Sequence, residues 1–111
     1  MKTLATDPAV ARIEHALRLV IDPELGCNIV DLGLVYDVSI DLVRIVHIVM
    51  TTTTRGCPAT GYLQEAAKNA TEGLGEFTAV EVELTYDPPW TPQKMSAEAK
   101  RQFAVDDGGG R

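Results

Sequence analysis

Two sulfurs carry the sharpest chemical possibilities in this chain, Cys27 and Cys57. Cys57 directly precedes Pro58, and proline is well tolerated in the first turn of a helix, where its missing N–H would have no partner. The pattern predicts a helix opening there. A sulfur beside unpaired helix-start N–H groups, with Arg55 two residues earlier, is in a field that favours thiolate over thiol. A thiolate is a nucleophile or a soft-metal ligand. The same residue types also suit a plainer reading, in which Cys57 is a small buried apolar side chain at the start of the helix.

A cysteine nucleophile ordinarily needs a histidine to take its proton. The chain has two, His15 and His47. At roughly 100° per residue His15 lies about 200° around a helix from Ile13, toward solvent. His47 falls in the middle of an apolar strand pattern, where a satisfied packing residue is the plain expectation. A Cys-His hydrolase is therefore weakly supported, and a thiol enzyme or redox sensor stands as a third reading.

The segment Asp22-Pro23-Glu24-Leu25-Gly26-Cys27-Asn28 brings two carboxylates beside the second sulfur. Such acids can orient a metal, accept hydrogen bonds from a partner, or cap their own backbone, which is the commonest outcome. A carboxylate pair for glycoside hydrolysis would need a cleft that so small a chain does not obviously offer. Thr51 to Thr54 and Gly56 lead into Cys57. Hydroxyls and a glycine before a helix can cradle an anion, while β-branched threonines simply extend a strand. The stiff run Asp87-Pro88-Pro89-Trp90-Thr91-Pro92 displays the one tryptophan; it either lids the core or offers a docking surface.

Periodicity supplies the elements that must hold these groups. Asp7 caps and Pro8 opens a first helix over residues 8 to 21, with Val10, Ile13, Leu17 and Val20 on one face. It stops where Pro23 forces Asp22 out of the α region. Leu34, Tyr36, Val38 and Ile40 alternate as the buried face of a strand, and a second strand spans Arg44 to Thr52 after a short connection at Asp41-Leu42. That second strand is apolar in both phases, which marks a central strand or one whose outer face meets a partner. The Cys57 helix buries Tyr62, Leu63, Ala66, Ala67, Ala70 and Leu74 and ends at Gly73 and Gly75. Val80, Val82, Leu84 and Tyr86 form a third strand, Gly33 takes an unusual backbone angle, and Ser96 caps a last helix with Glu98 in its first turn. Strand, helix, strand implies a crossover. The expected fold is α+β in two layers, a small mixed sheet of about three strands with helices on one face.

Length and composition bound the functions. At 111 residues and 45% hydrophobic content the chain is expected to form one domain over 1–111, with 106–111 as a frayed tail. The formal charge is -6, and neither the Arg18–Arg44 nor the Lys68–Lys94 interval contains a further Lys or Arg. No basic stripe exists for a phosphate backbone, so nucleic acid is excluded as a partner. No run nears the roughly 20 apolar residues that cross a bilayer, and the start lacks a signal-peptide pattern; the expectation is a cytoplasmic protein with reduced cysteines and no membrane contact.

Four motifs in order, DPEL at 22–25, IVDLGLVYDV at 29–38, MTTTTRGCP at 50–58 and DPPWTPQKMS at 87–96, resemble the SufT/PaaD-like family of iron-sulfur assembly proteins. The resemblance spans Asp7 to Phe103. It implies an iron-sulfur assembly domain and a non-enzymatic accessory role in maturing iron-sulfur proteins. The alternative it allows is a metal-free adaptor or accessory subunit of a multicomponent phenylacetyl-CoA oxygenase. It matches Cys57 to the family's reactive cysteine, Asp22 and Glu24 to its acidic loop, and Thr53 and Thr54 to the hydroxyls before the cysteine, as a site rather than a mechanism; Cys57 is the candidate metal contact. Cys27, where an aliphatic residue is expected, and Trp90 are secondary candidates. The implied cargo is a transient iron-sulfur cluster or iron rather than a tightly bound cofactor. The implied partners are assembly or target proteins; separately, because one thiolate cannot fill a cluster, a homodimer is a further expectation, with its contact on the two-faced apolar second strand. A cysteine-rich extension is lacking, which favours the Suf-type role.

Overall fold

A computed structural model describes residues 8–105. The expected Asp7 cap and the 106–111 tail lie outside the described residues. The chain runs α1 (Pro8–Leu17), β1 (Ile21–Asp22), β2 (Cys27–Asn28), β3 (Val35–Ile40), β4 (Ile45–Met50), α2 (Thr60–Glu72), β5 (Ala79–Leu84), a 3-10 turn (Pro92–Lys94) and α3 (Ala97–Phe103). The sheet order is β3-β4-β5, antiparallel at the first pairing and parallel at the second. α1 packs on β3 and on α2, and α2 packs on β5, so one face of the mixed sheet carries the helices, as the strand and helix pattern implies. The apolar central strand β4 places Val46, Ile48 and Met50 in the core with no exposure. Ile13, Leu17, Ile29, Leu32, Leu34 and Leu63 are likewise without exposure, and truncating any one leucine or isoleucine to alanine costs about 2–5 kcal/mol.

Several boundaries differ from the sequence reading. α1 ends at Leu17, not residue 21, because Arg18, Leu19 and Val20 tighten into a turn whose N–H groups reach back to His15, Ala16 and Leu17. Ile21 and Asp22 then pair with Asn28 and Cys27 in a two-stranded ribbon that periodicity does not reveal. Tyr36 is half-buried because a bulge between Val35 and Asp37 takes it out of the alternation, and its hydroxyl donates to Pro88 O at 2.8 Å. The second strand starts at Ile45: Asp41 accepts Val43 N–H and Ile45 N–H, and Arg44 adopts φ +65° to close the turn. Tyr62 points outward, 55% exposed, while Leu63, Ala67 and Thr71 form the buried stripe of α2. Tyr86 lies beyond the end of β5.

Gly33 has φ +81°, and a Cβ there would overlap the Lys94 carbonyl. The close approach lets the segment after Trp90 lie across the start of β3. Ser96 Oγ caps α3 by accepting Ala99 N–H at 3.2 Å, as its residue type foretells.

Candidate functional site

Two loops build the site, the bend inside the β1–β2 ribbon and the segment from β4 to α2. In the first, Asp22 is 2% exposed. Its Oδ1 accepts Glu24 N–H at 2.7 Å and Leu25 N–H at 3.2 Å, and its carbonyl accepts Gly26 N–H at 2.7 Å. A buried carboxylate must find such donors, and the short Asp side chain reaches backbone two and three residues ahead. Gly26, at φ +70°, turns the chain back into β2. Asp22 is thus the frame of the loop, whereas Glu24 is exposed.

In the second loop Thr51 and Thr52 are buried, and Thr51 N–H is taken by Leu34 O at 2.8 Å. Thr52 Oγ1 donates to Thr54 O at 2.8 Å and lies 2.8 Å from the Tyr86 hydroxyl, which supplies the proton of that second bond. The Arg55 guanidinium stacks over the Tyr86 ring, 4.6 Å from its centroid. Tyr86 therefore ties this loop to the chain leaving β5. Thr53 is half-buried and Thr54 exposed.

Cys57 comes next, 7% exposed, and its Sγ donates to Glu24 Oε2 at 3.6 Å. The helix does not open at Pro58: α2 starts at Thr60, with Ala59 as its N-cap. Cys57 instead offers its carbonyl to Thr60 N–H at 3.0 Å and Thr60 Oγ1 at 2.8 Å. The expected sulfur at a bare helix end is replaced by a thiol aimed at a carboxylate, because the Cys57–Thr60 turn intervenes. The thiol thus has a hydrogen-bond acceptor in the exposed Glu24 carboxylate.

The remaining candidates stand apart from this pair. Cys27 belongs to the hydrophobic core cluster and Cys57 does not. Burial is the largest influence on the Cys27 thiol, and with the Asp31 charge it outweighs the Asn28 backbone N–H and pushes the thiol above its ordinary range. Cys27 is thus a neutral packing residue, and both cysteines are free. Trp90 packs on the core, with its indole N–H donating to Leu32 O at 2.7 Å; this is the lid of the two sequence readings. His15 is exposed on α1. The ring nitrogens of His47 face Asp41 at 3.1 Å and Glu81 at 3.3 Å. Among the described residues no group of three or more His, Cys, Asp or Glu side chains is gathered to hold a metal. Thr60 and Tyr86 are the site residues that motif reading misses; Tyr86 shows no local signal, since only the parallel β4–β5 pairing brings it to Thr52.

Comparison with known proteins places this geometry in context. The family model described as iron-sulfur cluster assembly protein matches residues 10–84. The Fe-S protein maturation auxiliary factor YitW of Bacillus subtilis is 48% identical over 93 residues, which span 84% of this chain and 91% of that protein. The Fe-S protein maturation auxiliary factor SufT of Staphylococcus aureus is 42% identical, over 78% of this chain and 99% of that protein. Among solved structures, the crystal structure of a domain of unknown function, DUF59, from Bacillus anthracis superposes with a TM-score of 0.84 at 37% identity. It covers 90% of this chain and 95% of that one.

Proposed function

Because the chain belongs to the iron-sulfur cluster assembly protein family, we propose that it is a non-enzymatic accessory factor in the maturation of iron-sulfur proteins, taking iron or a cluster as cargo on Cys57. The observation that supports this is the 3.6 Å contact from Cys57 Sγ to Glu24 Oε2. A sulfur ligates metal as thiolate, so capture releases a proton. In the step proposed here the S–H bond breaks, the S–Fe bond forms and the proton passes to the Glu24 carboxylate, with no change of oxidation state. Asp22 holds Glu24 in reach by fixing the backbone of its loop.

One thiol is far short of the four cysteines that clusters ordinarily take. The remaining ligands therefore come from a carrier, a client, a small thiol or a second subunit. Partial ligation suits transfer, because cargo held by one sulfur leaves readily to a fuller ligand set. Anaerobic titration with iron and sulfide tests the reading: the native chain gains visible absorbance, and Cys57→Ser abolishes it while Cys27→Ser retains it. Equal absorbance from native and Cys57→Ser proteins would defeat direct cargo binding.

The burial of Cys57 favours a second reading, an adaptor that holds no metal and engages assembly or target proteins through the exposed Pro23 and Glu24. Pull-downs of such partners that survive Cys57→Ser and fail with Glu24→Ala select this reading.

A further inference from the structure

β5 is the last strand of the sheet, and among the described residues no strand flanks its outer side. Half of the N–H and C=O groups of such an edge strand point away from its neighbour, a template for another strand. Beside this edge, between α2 and β5, runs a groove of about 510 Å³ walled by Gly61, Gln64, Glu65 and Lys68 from the helix and by Val80, Glu81 and Val82 from the strand. Gly61 leaves room at one end, since a Cβ there would meet nothing within 4 Å. The two faces of β5 are chemically opposite. Val80 and Val82 align with the fully buried Val46 and Ile48. Glu81 and Glu83 align with His47 and Val49 on the face away from the helices, and both are exposed.

We propose that the β5 edge accepts an extended segment of a partner protein in which basic and apolar residues alternate. Its basic side chains lie beside Glu81 and Glu83, and its apolar side chains enter the groove against the half-buried Val82. Backbone hydrogen bonds supply the attachment and the alternate side chains the selectivity. Charge decides the occupant. Antiparallel self-pairing about Val82 sets Glu81 of one copy against Glu83 of the other, twice over, and like charges directly opposite are destabilising. A second copy of this acidic chain is thereby disfavoured, while a Lys- or Arg-bearing strand is attracted. Glu81 keeps its contact with His47 on the inner side and exposes the rest of its carboxylate.

The inference extends the maturation reading to how a partner is held, but it does not pass through the sulfur. β4 and β5 run parallel, and Gly61 lies on the first turn of α2, four residues from Cys57.

The probe is an acetylated eight-residue peptide alternating lysine and valine, titrated into the isotope-labelled full chain and followed by amide chemical shifts. Shifts are expected to concentrate at residues 79–84, with slowed amide exchange there, and a glutamate-valine peptide should bind about tenfold more weakly. The double variant Glu81→Lys with Glu83→Lys should invert that preference. Glu83→Lys alone, which leaves the His47 contact intact, should give part of the inversion. A lysine-valine peptide N-methylated along one edge should not bind. Shifts absent from 79–84, a preference unmoved by charge reversal, or concentration-dependent dimers formed through β5 would each overturn the proposal. Cys57→Ser should leave the titration unchanged while removing the iron signal, so either claim can fail without the other.

Discussion

Asp22 and Glu24, two residues apart, divide their labour by burial: Asp22 Oδ1 binds the Glu24 N–H at 2.7 Å from a nearly sealed position, and Glu24 sends its own carboxylate out to Cys57. One acid frames the loop and the other meets the thiol. Replacing Asp22 by alanine leaves the Glu24 and Leu25 N–H groups without their acceptor, at a cost of about 1–3 kcal/mol. Urea unfolding followed by the emission of the one tryptophan, Trp90, measures it. Asp22→Asn keeps an acceptor oxygen and should lose less.

Glu24→Gln should leave stability within about 0.5 kcal/mol, as exposed substitutions do, yet remove the proton acceptor at the sulfur. Groups that support a metal ligand typically contribute 10–100-fold to affinity, so iron uptake in anaerobic titration should weaken by about that factor. Unchanged uptake would deny Glu24 the role assigned to it.

Gly33→Ala forces a left-handed residue to carry a side chain against the Lys94 backbone. The conformational strain alone is about 1–3 kcal/mol, and the overlap adds to it. A lowered Tm without loss of the Cys57 contact is expected, read by thermal melts beside the iron titration. Ala at Gly26, where a Cβ meets nothing, should show only the cost of its positive φ.

Asp31 predicts the acid limb of the stability profile. The Asn28 side-chain amide is the main influence holding its carboxyl below the ordinary range; burial opposes it and Arg18 assists. A carboxyl depressed in the folded chain contributes stability above its unfolded value, near pH 4, and that contribution is lost as pH falls through the folded value. Urea midpoints for the native chain should therefore drop as the pH falls below about 4, and Asp31→Asn should flatten that limb. Equal slopes in the two proteins would locate the acid sensitivity elsewhere.

Much of this arrangement is legible in the residues. The apolar β4, Leu63 and Ala67 on the inner face of α2 and the alternation of β5 each follow from periodicity, and the crossover between β4 and β5 follows from their order. The ribbon at Ile21–Asp22 and Cys27–Asn28 is too short to leave a period. The bulge at Tyr36 breaks a pattern that otherwise reads cleanly. At the site, motif resemblance marks Asp22, Glu24 and Cys57 as a set, but their division of roles depends on burial and on which loop folds over which. Thr52 with Tyr86, 34 positions apart, becomes visible only once β5 lies parallel to β4.

That last pairing also orders events in time. On the ribosome, the segment bearing Cys57 emerges well before Tyr86, so the nascent loop has a thiol but not yet the phenol that fastens it. The Cys57 loop is consequently fastened late in synthesis, when the crossover closes, and a truncated polypeptide ending before that tyrosine carries the sulfur without its mooring.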